Sequence, residues 1–130
     1  MKIAIAEDDA KQAKQLIEYI ERFSKETNIP IESILFDNGA KLVVDYKPIY
    51  DFILLDVDMP VANGIETAMS IREIDPFVFL MFFTNLAQYA YEGFEVEPLD
   101  YVLKPVSYPA FAMKIARSCS SCAAKATSRS

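Results

Sequence analysis

The stretch Phe52-Ile-Leu-Leu-Asp56-Val-Asp58-Met-Pro60 decides the fold, because its four apolar residues end abruptly at an acid. A continuous apolar run without alternation is typical of a parallel strand that is buried on both faces. Three further runs of this kind are Ile3 to Ala6, Phe77 to Phe83 and Tyr101 to Leu103. The four runs therefore predict buried strands of one parallel sheet.

The segments between these runs predict helices. Asp9 can cap a first helix that ends at Asn28 to Pro30, and its apolar residues recur at spacings of three and four: Ala13, Leu16, Ile17, Ile20 and Phe23. Ile31 to Phe36 predicts a second strand, followed by a short helix that ends near Pro48. The remaining predicted elements are helices over Ile65 to Asp75, Leu86 to Tyr91 and Tyr108 to Arg117, and a fifth strand over Asp100 to Leu103.

This alternation of strands and helices predicts the fold class. Right-handed crossovers between parallel strands place helices on both faces of a sheet. We therefore expect an α/β fold, flavodoxin-like and doubly wound, with a five-stranded parallel sheet in the order 2-1-3-4-5. The chain has 130 residues, which is room for one domain.

Charge and hydropathy narrow the possible functions. The formal net charge is −6, although no acid follows Asp100. An acidic surface repels nucleic-acid phosphates, so the body of the chain is a poor candidate for DNA binding. The longest apolar run is too short to span a bilayer, and the N-terminus has no secretory apolar region. We therefore expect a cytoplasmic protein without membrane contact.

The end of the chain differs in composition from the rest. Residues 119–130 are rich in Ser and Ala and show no periodicity, so they predict a linker or disordered tail after a folded domain over residues 1–118. Cys119 and Cys122 form a lone Cys-x-x-Cys pair in a chain without histidine. We expect these thiols to be inert, since neither a zinc site nor a redox motif is complete.

Polar residues follow the ends of four predicted strands: Glu7, Asp8, Asp56, Asp58, Thr84 and Lys104. The carboxyl ends of the strands form the ligand crevice of an open α/β sheet, so we expect these residues to converge. The predicted strand order also places Glu7 and Asp8 beside Asp56. Taken singly, each residue is better explained as a helix cap, a turn hydroxyl or a surface charge. The prediction therefore depends on their joint placement.

These residue types suit magnesium and phosphate chemistry. Two carboxylates about 4 Å apart repel by roughly 4 kcal/mol near a protein surface, so three of them either bind a divalent cation such as Mg²⁺ or Mn²⁺ or stay partly protonated. A carboxylate such as Asp56 can attack phosphorus to give an aspartyl phosphate. Lys104 and Thr84 can bind phosphoryl oxygens by charge and by hydrogen bonding. For Asp58 we expect the backbone carbonyl, rather than the carboxylate, to be the ligand.

The motifs resemble the receiver domain of bacterial two-component response regulators over residues 1 to about 118. Glu7-Asp8-Asp9 resembles the acid pair of that family, and Leu-Leu-Asp56-Val-Asp58-Met-Pro60 resembles its phosphoacceptor segment. Phe-Thr84 and Tyr101-Val-Leu-Lys104-Pro105 resemble the other two signatures. The resemblance implies that Asp56 accepts a phosphoryl group from a sensor histidine kinase. It also implies a signalling domain with self-catalysed phosphotransfer and dephosphorylation only, rather than an enzyme.

The resemblance assigns a role to each residue. Magnesium is expected on Asp8, Asp56 and the Asp58 carbonyl, with Glu7 acting through water. Lys104 is expected to bind the phosphoryl group, and the bond before Pro105 is expected to be cis. Thr84 and Tyr101 are the expected switch residues. They would reshape the face made by the fourth helix, the fifth strand and the fifth helix, where we also expect a homodimer.

A narrower likeness covers Gln88 to Lys104, which is similar to receivers that precede a LytTR-type DNA-binding domain. This likeness implies transcription control, in which DNA is bound only by an output domain absent from this chain. A stand-alone receiver is the other possibility. Asn85 departs from the small residue that commonly follows the switch threonine, and we expect it to affect access to the site.

Two other functions remain open on the sequence. A haloacid dehalogenase-like phosphatase also uses an Asp-x-Asp motif, a Thr or Ser, a Lys and magnesium. That family places Asp-x-Asp on its first strand and further metal-binding acids after the lysine, whereas here Glu7 and Asp8 precede Asp56 and no acid follows Asp100. The second alternative is a pseudo-receiver that binds a partner without being phosphorylated.

Overall fold

Five parallel strands form one sheet in the order β2-β1-β3-β4-β5 in a computed structural model that describes residues 1–57, 64–84 and 99–117. The strands are β1 (Lys2–Ala6), β2 (Glu32–Phe36), β3 (Phe52–Asp56), β4 (Phe79–Thr84) and β5 (Leu99–Leu103). Each neighbouring pair is parallel. The predicted fold class and strand order are therefore confirmed.

The central strand β3 explains why its sequence is apolar without alternation. All five of its residues are buried, and they face two separate cores. Phe52 and Leu54 lie in one core, whereas Ile53 and Leu55 lie in the other. Successive side chains of a strand point to opposite faces of the sheet, so a strand covered on both faces needs apolar residues at every position.

Helices cover both faces of the sheet. They are α1 (Ala10–Thr27), α2 (Gly39–Val44), α3 (Gly64–Ile74) and a C-terminal helix over residues 108–117. The core that contains Phe52 is closed by side chains of α1 and the C-terminal helix, such as Leu16 and Phe111. The opposite core is closed by α2 and α3, through Leu42 and Ile71. Among the described residues, no helix is both long and apolar enough to cross a bilayer.

The ends of α1 follow its predicted capping chemistry. Asp9 accepts hydrogen bonds from the backbone N–H groups of Lys11 and Gln12, at 2.8 and 3.2 Å. Asn28 ends the helix in the left-handed region with φ of 57°, a conformation that asparagine tolerates better than most residues. The cap at Asp9 also fixes where the chain turns after β1, directly behind Glu7 and Asp8.

The start of β4 corrects the sequence prediction. The strand begins at Phe79 rather than Phe77, and the Phe77 side chain is 72% exposed. Residues before the strand belong to a turn, because the Asp75 carboxylate accepts from the Phe77 N–H at 3.4 Å and Arg72 donates to the Val78 carbonyl at 2.9 Å. An apolar run by itself does not show that its first residues are held outside the strand by hydrogen bonds to side chains such as those of Asp75 and Arg72.

Tyr101 departs from the burial that the apolar run Tyr101 to Leu103 predicts for this strand. Its side chain is 37% exposed because β5 is an edge strand of the sheet. The other predicted strand starts, and both bounds of α3, agree with the structure within one residue. The helix predicted over Leu86 to Tyr91 and the tail over residues 119–130 lie outside the described residues.

Candidate functional site

Three acids meet at the carboxyl ends of β1 and β3. The two strands pair in register up to Ala6 and Leu55, so the residues that follow lie side by side. One carboxylate oxygen each from Glu7, Asp8 and Asp56 lies within 4.8 Å of the others. Glu7 and Asp56 are buried and Asp8 is exposed, so the cluster faces solvent on one side.

Lys104 directly follows the carboxyl end of β5, and its side chain reaches this cluster. Its Nζ donates to Asp56 Oδ1 at 2.8 Å, and the two side chains are only 12% and 4% exposed. A carboxylate and an ammonium buried this deeply need charged or polar partners, since neither is well solvated. The Lys104–Pro105 peptide bond is cis, as the resemblance implies.

Glu7 is the acid whose protonation the site changes most. Burial and, to a smaller extent, the negative charge of Asp56 raise the pKa of the Glu7 carboxyl to about 8. The Asp9 N–H, which donates to Glu7 Oε1 at 3.1 Å, and the positive charge of Lys104 oppose this rise. Glu7 therefore holds a proton near neutral pH when no cation is bound.

The donor set fits a hard divalent cation. Magnesium prefers carboxylate oxygens and keeps several of its waters. Glu7, Asp8 and Asp56 supply such oxygens within one small volume, and the exposed position of Asp8 leaves room for water. A cation bound there would also favour the ionised form of Glu7 against the burial and the Asp56 charge that raise its pKa.

Gly64 allows α3 to approach the end of β3. A Cβ atom at this position would lie 2.7 Å from the Asp56 carbonyl oxygen, which is closer than real Cβ contacts come. The Gly64 N–H also donates to the Val57 carbonyl at 3.4 Å. A glycine at the start of α3 is therefore part of what holds the backbone of Asp56.

The structure brings together Glu7, Asp8, Asp56 and Lys104 from the predicted set. Thr84 ends β4 and pairs with Leu103, but the Thr84 side chain lies outside the part described. Asp58 lies outside the described residues altogether. Tyr101 is exposed on β5 and does not point into the core.

Two features beside the site were missed by the sequence analysis. A cavity of about 280 Å³ lies between α1 and the loop after β5, and Gln12, Gln15 and Leu16 line it on the α1 side. The Tyr19 hydroxyl donates to the Val106 carbonyl at 2.8 Å across 87 positions of sequence. Periodicity placed these residues on a helix, but no local pattern identifies a partner so distant along the chain.

The fold and the site define an α/β domain of the flavodoxin-like class whose ligand crevice holds three acids and one lysine. A model of the response regulator receiver domain matches residues 3–116. The chain therefore belongs to the response regulator receiver domain family, the signalling domains of two-component systems. This membership argues against the phosphatase alternative.

Similar proteins agree with this assignment. The sensory transduction protein LytT of Oceanobacillus iheyensis is 32% identical over 120 residues, which cover 88% of this chain and 46% of that protein. The response regulatory domain of protein mrkE from Klebsiella pneumoniae has a similar structure, with a TM-score of 0.80 at 27% identity over 93% of this chain and 97% of that one.

A second structural likeness shows the fold alone. The receiver domain of a sensor histidine kinase from Pseudomonas aeruginosa PAO1, described with magnesium in its active site cleft, has a TM-score of 0.73 at 20% identity, over 89% of this chain and 94% of that one. The chain spans less than half the length of the curated LytT relatives that it matches. The similarity to these LytT proteins supports the assignment of the chain to the LytTR-type subgroup of receivers.

Proposed function

We propose that this receiver accepts a phosphoryl group on Asp56 and uses the modification to switch a contact surface. The observation that carries the proposal is the buried contact of 2.8 Å between Lys104 Nζ and Asp56 Oδ1 inside a three-acid cluster. An acid surrounded in this way is positioned for attack on phosphorus.

The phosphotransfer step needs only the Asp56 carboxylate and the phosphodonor as reactants. A carboxylate oxygen of Asp56 forms a bond to phosphorus, the bond from phosphorus to the donor nitrogen breaks, and the leaving group departs with that electron pair. Lys104 then gives up part of its contact with Asp56 and binds a phosphoryl oxygen. Thr84 is proposed to donate a hydroxyl hydrogen bond to another oxygen.

The proposed metal ligands are Asp8, Asp56 and the Asp58 carbonyl, with Glu7 acting through water. Mg²⁺ or Mn²⁺ bound there would neutralise charge on Asp56 and on the incoming phosphoryl oxygens. Glu7 supports this role because its carboxyl is buried beside Asp56. The magnesium described in the Pseudomonas receiver domain supports the same chemistry in this fold.

The proposed phosphodonor is a sensor histidine kinase, since receivers act with such kinases in two-component systems. The similarity to LytT sensory transduction proteins supports an output domain of the LytTR type, and we propose that this domain binds DNA and controls transcription. We place the receiver at residues 1–118 and its linker or tail at residues 119–130. The proposed location is the cytoplasm, where kinase and receiver meet.

The decisive experiment is incubation with acetyl phosphate and Mg²⁺, followed by intact mass measurement. We expect one labile phosphoryl adduct on the wild type and none on Asp56→Asn. Asp45→Asn is the matched control, because Asp45 is an exposed acid at the end of α2 and should leave the adduct unchanged. An adduct on Asp56→Asn would show that another residue is the acceptor. A wild type without any adduct would favour the pseudo-receiver.

A further inference from the structure

One hydrogen bond joins α1 to the loop after β5, next to the candidate site. The Tyr19 hydroxyl donates to the carbonyl oxygen of Val106 at 2.8 Å. Val106 lies two residues after Lys104, whose Nζ contacts Asp56. We propose that Tyr19 is a positioning residue, whose hydroxyl holds this loop where Lys104 reaches the phosphoryl group. This inference rests on the proposed phosphorylation of Asp56.

The loop needs such a tether because it leaves the sheet at Lys104. Leu103 still pairs with Thr84 at the end of β4. The C-terminal helix takes over at Ser107, whose hydroxyl and carbonyl oxygens accept from the N–H groups of Ala110 and Phe111, at 3.3 and 3.1 Å. The loop residues between these two anchors also border the cavity of about 280 Å³, so the packing of buried Val106 in the core that contains Leu16 of α1 covers only part of the loop.

Tyr19 is itself held firmly enough to act as a tether. Its ring packs edge-on against Tyr108, with centroids 5.5 Å apart, and lies 5.6 Å from the ring of the fully buried Phe111. The Arg22 guanidinium lies 4.0 Å from the centroid of Tyr108 and covers that ring from α1. A hydroxyl on a side chain that is fixed by packing can fix its partner in turn.

The position of the loop matters because a lysine side chain does not by itself fix the position of its ammonium group. Its ammonium is a point charge on a flexible four-carbon chain, so the backbone determines what it can reach. The three acids lie at the carboxyl ends of β1 and β3, whereas the loop follows β5. Loss of the Tyr19 bond should therefore weaken phosphoryl binding and leave magnesium binding intact.

The first experiment compares Tyr19→Phe with Tyr108→Phe by calorimetry. Each variant loses one hydroxyl from the same aromatic cluster, but burial and the neighbouring Glu26 raise the pKa of the Tyr108 hydroxyl, whereas the Tyr19 hydroxyl is the one that donates to the loop. The probes are Mg²⁺ alone and then beryllofluoride with saturating Mg²⁺. We expect Tyr19→Phe to bind Mg²⁺ like the wild type and beryllofluoride roughly three- to tenfold more weakly, as for one lost hydrogen bond. Tyr108→Phe should bind both probes like the wild type.

A double-mutant cycle tests whether Tyr19 acts through the lysine. In a Lys104→Ala background, Tyr19→Phe should cause no further loss of beryllofluoride affinity. Additive losses, or an equal loss of Mg²⁺ affinity, would overturn the positioning role. If Tyr19→Phe binds beryllofluoride as tightly as the wild type, the positioning role of Tyr19 is overturned, but the proposed phosphorylation of Asp56 is not. Failure of the wild type to bind beryllofluoride would overturn the proposed function, and the role of Tyr19 with it.

Discussion

Among single residues, Glu7 couples the stability of the protein to pH. Its carboxyl has a pKa of about 8 in the folded state against an ordinary value of 4.5, mainly because it is buried. Between these two values the folded protein keeps a proton that the unfolded chain has lost. The free energy of unfolding should therefore fall as the pH rises through this window.

Urea unfolding in EDTA at several pH values from 5 to 8 measures this effect. We expect a smaller decline in Glu7→Gln, which keeps the shape of the side chain and carries no titrating proton. Adding Mg²⁺ to the wild type should also reduce the decline, because a bound cation favours ionised Glu7. Equal declines in wild type and variant without metal would contradict the raised pKa.

Gly64 makes a second prediction for a single residue. Gly64→Ala places a methyl group 2.7 Å from the Asp56 carbonyl oxygen, so either α3 or the end of β3 must shift. We expect a loss of about 1–3 kcal/mol in the free energy of unfolding, as for other overpacked sites, together with slower phosphorylation by acetyl phosphate. Met69→Ala in the same helix is the control, because the Met69 side chain is 51% exposed. Wild-type behaviour of Gly64→Ala would show that the helix adapts freely.

At the level of secondary-structure elements, a buried polar network joins the C-terminal ends of α2 and α3. The Tyr46 hydroxyl donates to the Asp75 carboxylate at 2.7 Å, and Arg72 donates to the Asp75 carbonyl at 3.1 Å. Asp75 is only 8% exposed, so its carboxylate depends on protein donors. Burial and this bond together raise the pKa of the Tyr46 hydroxyl, which stays protonated and remains a donor.

Tyr46→Phe removes that donor and should lower the free energy of unfolding by about 1–3 kcal/mol, the usual cost of an unsatisfied buried group. Chemical denaturation measures the loss, and Tyr50→Phe, whose ring lies 5.8 Å away, is the control. Phosphorylation of Asp56 should be unchanged, because this network lies at the amino end of β4 and the site lies at the carboxyl end of the sheet. A stability equal to that of the wild type would mean that water replaces the hydroxyl.

The same elements show how far the sequence could predict the structure. The apolar runs of β1 and β3 were reliable because a strand covered on both faces favours apolar residues at every position before its carboxyl end, where Asp56 lies. The four residues Glu7, Asp8, Asp56 and Lys104 could be placed together because strand order and strand ends determine where they lie. The start of β4 and the bond from Tyr19 to Val106 could not be predicted, because each depends on contacts between side chains and distant backbone atoms.

For the whole molecule, we propose that phosphorylation drives a homodimer through the face made by the predicted fourth helix, β5 and the C-terminal helix. Tyr101 and Met113 in these elements are 37% and 56% exposed. Lys114 links the two elements, because its Nζ contacts Asp100 Oδ1 at 2.7 Å and lies 5.9 Å from the centroid of the Tyr101 ring. An apolar ring held outward in this way offers area to a partner, and its movement would change that area.

Sedimentation velocity with and without beryllofluoride and Mg²⁺ tests the dimer. We expect the wild type to shift toward a dimer with the phosphoryl mimic and Met113→Ser to shift less, because it loses apolar contact area. Phe77→Ser is the matched control: its side chain is 72% exposed but lies before β4, at the opposite end of the sheet from the site. Wild type that sediments identically in both conditions would exclude a dimer driven by phosphorylation. An equal loss in both variants would place the interface on another surface.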